Sequence, residues 1–297
     1  MTAITAITAQ NTLGVDAIHH VPGEIVIAQV RAVSRDIGVD AVKIGMLGRV
    51  ETIEAVAVAL SELDPGTPVV LDPVMVAESG AQLLEPDARR ALVELLLPRA
   101  HVITPNLPEA RALAGIDEGP GGKSGLGEPR SGVGGERGPG ARSGVGGKSG
   151  LGVAGGLEGE RGPGAAADGP PRFGGRTEPG DDPDDALARA LLRLGPAAVV
   201  ITGGHRERAA DLFYDGSQLV ELAGERHPAR AAHGSGCTHS SVLAARLAWG
   251  DPPLTAAREA KRLASLAVAR GLDQLGAGAG PVDVLGLSDK LAGPGGS

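Results

Sequence analysis

The 297-residue chain carries 36 acidic and 28 basic residues, a net charge of −8 and a pI near 5.4, with no basic footprint for nucleic acid. No apolar run approaches the roughly 20 residues of a membrane span, and no signal peptide is read at the start. The one cysteine rules out an internal disulfide, as suits a cytoplasmic protein.

Aromatic residues make up 1% of the chain, so a core must come from Ala, Val, Leu and Ile, which favours helices layered on parallel strands. Residues 2–8 (TAITAIT) alternate weakly and predict a strand ending at Gln10, Asn11 and Thr12. Pro22 and Gly23 mark a turn before a helix over 24–37, spaced through Ile25, Ile27, Val30, Val33 and Ile37. A buried strand over 41–46 (AVKIGM) leads into Gly48, and an amphipathic helix over 50–63 closes at Asp64-Pro65-Gly66. Residues 68–75 (PVVLDPVM) predict a nearly all-apolar strand with Asp72 at its carboxyl end. A helix over 86–97, a strand over 101–104 ending at Pro105-Asn106, and a helix over 107–115 follow. The β–α alternation predicts an α/β fold: an open, mostly parallel sheet with helices on both faces.

The pattern breaks at 119–180, a run of Gly, Ser, Pro, Arg and Glu that holds 24 of the 48 glycines. Short units recur: RSGVGG at 130–135 returns at 142–147, and ERGPGA at 136–141 returns at 160–165. Too little apolar surface is present to offset the entropy of ordering, so this segment is expected to be a disordered insertion in a single domain over 1–297. Two Gly-Lys-Ser spots, at 122–124 and 147–149, resemble the tail of a phosphate-binding loop. The glycine required five residues earlier is Asp117 in one case and Arg142 in the other, and no strand precedes either, so both read as coincidence.

Beyond the insertion, Asp184 is placed to cap a helix over 186–194, and 197–202 (AAVVIT) predicts a buried strand ending at Gly203-Gly204-His205. Residues 211–222 predict a hairpin turning at Asp215-Gly216. After it stands His233-Gly234-Ser235-Gly236-Cys237-Thr238-His239-Ser240-Ser241, then a last helix over 254–270 and a Gly- and Pro-rich tail from 276. Glycines flanking a serine let the backbone turn sharply and bare its N–H groups. The helix expected to open at Cys237 or Thr238 adds unpaired N–H groups and a positive dipole end, which makes an anion pocket. Cys237 would stand on its rim, where the field favours a thiolate. A glycine turn before a helix with a small buried cysteine is the plainer alternative.

Ligands gather at the carboxyl ends of the strands in such sheets. Gln10, Asn11, Met46, Asp72, Asn106, Glu109, Gly203 and Gly204 are expected there beside the glycine turn. Carboxylates, amides, glycine turns and an anion pocket are what phosphoryl transfer calls for.

The strings TAITAQNT, GVDAVKIGML, VVLDPVMVAESG, ITPNLPEA, ITGGH and HGSGCTHSS resemble the hydroxymethylpyrimidine/phosphomethylpyrimidine kinases of thiamine biosynthesis, in the ribokinase-like superfamily. The resemblance runs from Met1 to about Leu272, the insertion excepted. It implies ATP-dependent phosphorylation of 4-amino-5-hydroxymethyl-2-methylpyrimidine and then of its monophosphate, in a homodimer, with no nucleic-acid or membrane partner. By motif match, Gln10 would hydrogen-bond the pyrimidine while Met46 and Val74 pack on it. Asp72 and Glu109 would hold Mg²⁺, with Asn106, Thr202 and Gly204 near the nucleotide. Gly234, Ser235 and Gly236 would form an anion hole, and Cys237 would act as base, where many superfamily members carry an aspartate. Family members usually begin with a further strand, a GSD-type loop and a helix. The chain is therefore expected to lack a βα unit of roughly 30 residues and to leave a sheet edge exposed. Thr202 stands where the family frequently has lysine. A vitamin B6-type kinase, or a non-catalytic pyrimidine-binding remnant, remains an alternative.

Overall fold

The computed structural model describes residues 1–77, 80–116, 182–203, 209–227 and 231–288. The insertion expected over 119–180, its two Gly-Lys-Ser spots and Gly204 lie outside the described residues.

Strands β1 (Ala6–Gln10) and β2 (Val15–His20) form an antiparallel hairpin of their own, followed by helix α1 (Gly23–Asp36). Then come β3 (Val42–Ile44), α2 (Val50–Ser61), β4 (Val69–Leu71), α3 (Pro86–Ala91), β5 (Val102–Ile103) and α4 (Leu107–Leu113). After the insertion come α5 (Pro183–Leu192), β6 (Ala198–Ile201), β7 (Asp211–Tyr214), β8 (Leu219–Leu222), α6 (Ser235–Ala248) and α7 (Pro253–Ala269). The main sheet has the order β3-β4-β5-β6-β7-β8, parallel from β3 to β6 and antiparallel beyond. Among the described residues no helix is long and apolar enough to cross a membrane.

The period-two alternation of the strands sends successive residues to opposite faces. Val69, Leu71, Ile103, Val199 and Ile201 pack with α2, α3, α4 and α5, whereas Val70, Val102, Ala198 and Val200 meet α6 and α7. On α7 the buried stripe is all alanine, at 256, 257, 260, 264 and 267, so the short side chains let α7 approach its neighbours closely. A helix covers each face, as an apolar strand buried on both sides requires.

Several boundaries depart from the expected ones. The first strand is Ala6–Gln10 rather than 2–8, and it pairs with β2 outside the main sheet. The N-cap of α5 is Asp182, whose Oδ1 accepts the Asp184 N–H at 2.9 Å, with Pro183 next in the chain. Proline suits the first helical position because its missing N–H would be unpaired there anyway. The helix expected over 86–97 is α-helical only to Ala91. It continues as a π turn (Leu92–Leu96) and a 3₁₀ turn (Leu97–Arg99), and Pro98 has no N–H to extend an α ladder. Helix α6 opens at Ser235, earlier than Cys237 or Thr238, because Gly234 O already accepts the Thr238 N–H at 2.8 Å. Gly234 itself has φ +89°, a left-handed conformation natural to glycine.

Candidate active site

Asp72 directly follows β4, and its side chain turns toward α6. Its Oδ2 accepts the Ser240 hydroxyl at 3.0 Å and lies 3.3 Å from the Lys43 ammonium. Ser240 is one helical turn beyond Gly236, and its Oγ is also 2.9 Å from Gly236 O. That hydroxyl has one proton for the two acceptors, and Ser240 thereby sets the carboxylate at the end of β4 against the helix that the glycine turn opens.

Glu109 lies on α4, the helix that follows β5. Asn106 caps α4 by accepting the Glu109 N–H through Oδ1 at 2.9 Å, while Glu109 Oε2 accepts the Asn106 N–H at 2.9 Å. This reciprocal capping box fixes both side chains. The other oxygen, Oε1, accepts the Met75 N–H at 3.3 Å. Burial pushes the Glu109 carboxyl up from 4.5 to about 7, against the pull of the two backbone donors, and the nearby Asp72 charge adds to the rise. The folded state thus holds this proton more tightly than the unfolded chain. Its stabilising contribution is full below pH 4.5 and is lost as pH rises through about 7. Without nucleotide or metal, Glu109→Gln should gain on the parent by on the order of 3 kcal/mol between pH 5 and 8. Denaturant unfolding of both proteins at the two pH values checks this; a constant difference contradicts it.

Among the described residues no group of three or more His, Cys, Asp or Glu side chains could hold a metal ion. Asp72 and Glu109 form a pair whose mutual repulsion a cation would relieve. That donor set fits Mg²⁺, which keeps several waters and takes one or two carboxylates plus substrate phosphates.

At the turn, α-helix geometry leaves the first N–H groups of α6, including those of Gly236 and Cys237, without intrahelical acceptors. Cys237 is exposed, and open space surrounds Gly236. The tail braces the turn from behind: His233 N–H donates to Gly280 O and Val282 N–H to His233 O. Asp283 in turn accepts the N–H groups of Leu285 and Ser288.

The β1–β2 hairpin rises from the same end of the sheet. Thr5 Oγ1 donates to Met46 O at 2.8 Å, and Thr12 at the tip packs so closely on Gly276 and Gly278 that a Cβ at either would collide with it.

Asp72, Glu109, Asn106 and the 234–237 stretch are therefore brought together. Thr202 joins them through its backbone bridge to Asn106, and Met46 and Val74 stand half-buried beyond β3 and β4. Gln10 is exposed at the last position of β1, outside the six-stranded sheet, contrary to its expected place at a strand end of that sheet. The sequence reading passed over Lys43, Ser240 and a buried group behind β6. In that group Asp211 Oδ1 accepts the Gly203 N–H at 2.8 Å and the Lys261 ammonium at 2.7 Å, with His239 Nε2 at 3.4 Å from Oδ2. Burial pushes the Asp211 carboxyl up, but His239 and Lys261 outweigh it and hold it below the ordinary carboxylate range. Lone charges in the apolar runs AVKIGM and DLFY were the available signal, since a buried charge needs a partner.

A family model described as phosphomethylpyrimidine kinase matches residues 1–120 and 178–283. A hydroxymethylpyrimidine/phosphomethylpyrimidine kinase of Rhizobium meliloti is 39% identical over 94% of this chain and 83% of its own length. One from Haemophilus influenzae is 36% identical over 95% of this chain and 84% of its own. The ADP complex of Bacillus subtilis pyridoxal kinase is similar in structure, with a TM-score of 0.67 and 30% identity, covering 97% of this chain and 86% of that one.

Proposed function

The chain belongs to the phosphomethylpyrimidine kinase family and is a phosphotransferase that uses ATP, and from that premise we propose the substrates and the residue roles. The acceptor is 4-amino-5-hydroxymethyl-2-methylpyrimidine, and then its monophosphate. The Ser240 link carries this reading, because it sets a carboxylate and an anion-binding turn side by side at the carboxyl end of the sheet.

In this reading the turn at Gly234, Ser235 and Gly236 receives the transferring phosphoryl group, through N–H groups such as that of Gly236, since the Ser235 N–H donates to Ala232 O at 3.0 Å. The positive end of α6 favours negative charge there. Asn106 and Thr202 face the nucleotide. Asp72 and Glu109 hold Mg²⁺, directly or through water, and when bound it neutralises charge on the phosphates. Gln10 from the hairpin, with Met46 and Val74, positions the pyrimidine. The Cys237 thiolate takes the hydroxyl proton as the substrate oxygen bonds to phosphorus and the bond to ADP breaks. A loose transition state asks little of that base.

We place the enzyme in the cytoplasm, in keeping with its single cysteine, and as a homodimer, since the hairpin exposes Ile7 and Leu13. Sedimentation at the monomer mass would remove the dimer.

The structural likeness to pyridoxal kinase favours a second reading, a B6-type kinase. Turnover of the pyrimidine and of pyridoxal by the same preparation separates the two. The pyrimidine is expected to be preferred by at least about 10² in kcat/KM, a floor set well below the roughly 10⁴ that a site built to hydrogen-bond its substrate reaches against an analogue lacking the group. A preference for pyridoxal would overturn the assignment.

A further inference from the structure

Behind the end of β6, Asp211 is 2% exposed and His239 3% exposed. His239 Nε2 lies 3.4 Å from Asp211 Oδ2, an ion-pair contact, and Nδ1 has no hydrogen-bond partner among the described residues. The cluster ties together β6 through Gly203, β7 through Asp211, α6 through His239 and α7 through Lys261.

A buried ion pair is a poor source of stability, because desolvating both charges offsets their attraction, and apolar residues of similar volume often serve as well. What Asp211 offers that an apolar residue would not is a fixed acceptor for the Gly203 N–H. Gly203 has no side chain by which it could be held, and a Cβ there would run into the Ala210 carbonyl. The backbone N–H is thus the handle on this turn. Gly203 follows Thr202, which bridges to Asn106. His239 precedes Ser240, which holds Asp72. The cluster therefore spans the end of β6 and the helix of the anion-binding turn.

We propose that Asp211, anchored by Lys261, is a positioning residue for the nucleotide subsite, holding the backbone at Gly203 in the orientation that receives ATP. This rests on the reading of the backbone at Thr202 and Gly203 as nucleotide-facing.

Calorimetric titration with ADP and Mg²⁺ tests it in two double variants that both lack the charge pair. Asp211→Asn/Lys261→Met keeps an amide oxygen for Gly203 and should bind ADP within about threefold of the parent, whereas Asp211→Leu/Lys261→Met has no acceptor and should bind about tenfold more weakly. A purely structural role would instead move melting temperature and leave the two affinities alike. Equal ADP affinity in the two double variants overturns the proposal. If the leucine variant does not fold, Lys261→Met alone should weaken ADP binding about threefold and Lys261→Arg should restore it; no change in Lys261→Met is then the overturning result. Pyrimidine turnover by the parent is scored separately. A parent that binds ADP but leaves the pyrimidine untouched contradicts the substrate assignment and not the role of Asp211.

Discussion

Cys237→Ser is expected to lose roughly 10²–10⁴ in turnover, the span of general-base catalysis, while binding ADP as the parent does. The thiol stands exposed in the first turn of α6, on the helix whose opening N–H groups are proposed to form the anion pocket. Serine keeps the turn and every backbone donor, so the nucleotide loses nothing it binds. It offers only a hydroxyl, far weaker as a base than a thiolate at neutral pH. Cys237→Asp should retain part of the rate, since a carboxylate can accept the same proton. Steady-state rates and ADP affinities of both variants decide the matter. Parent-like turnover in the serine variant would leave Cys237 as a helix-surface residue and the backbone donors as the working part of the stretch.

Asp72→Asn should lower turnover by about 10²–10³, the cost typical of removing one group that stabilises transferring charge. It also leaves the Lys43 ammonium without its carboxylate 3.3 Å away and gives the Ser240 hydroxyl a poorer acceptor. A partly buried cation without its partner destabilises the fold, so the melting temperature should fall as well. The two effects come apart in Asp72→Asn/Lys43→Met. Removing the stranded cation should recover melting temperature, and turnover should stay low. Joint recovery of both would mean that Asp72 serves the fold alone.

The parallel core was legible because its strands are short apolar runs at regular spacing, each ending in a turn or a polar residue. Residues 69–71 and 198–201 need no tertiary information to be read as buried strands. The hairpin was not legible. Its second strand, VDAIHH, mixes an aspartate and two histidines with half-buried apolar residues, and the hairpin is held by long-range hydrogen bonds, from Thr5 to Met46 O and from the Gly278 N–H to Thr12. The start of α6 was misplaced because two glycines read as a turn, although Gly236 lies within the helix. Asp72, Asn106 and Glu109 could be named from their places at strand ends. What holds them, Lys43 and Ser240, comes from segments far apart in the chain, and only the fold brings those together.

The central claim is that phosphoryl transfer takes place where the turn at 234–236 meets Asp72. The direct measurement is a crystal structure of the protein with ADP, Mg²⁺, aluminium fluoride and the hydroxymethylpyrimidine. The aluminium fluoride should lie within about 3 Å of backbone N–H groups at the start of α6, between ADP and the pyrimidine hydroxyl, with Cys237 Sγ beside that hydroxyl. Aluminium fluoride bound away from this turn, for example in the groove lined by Arg89, Arg90 and Leu113, would contradict the account.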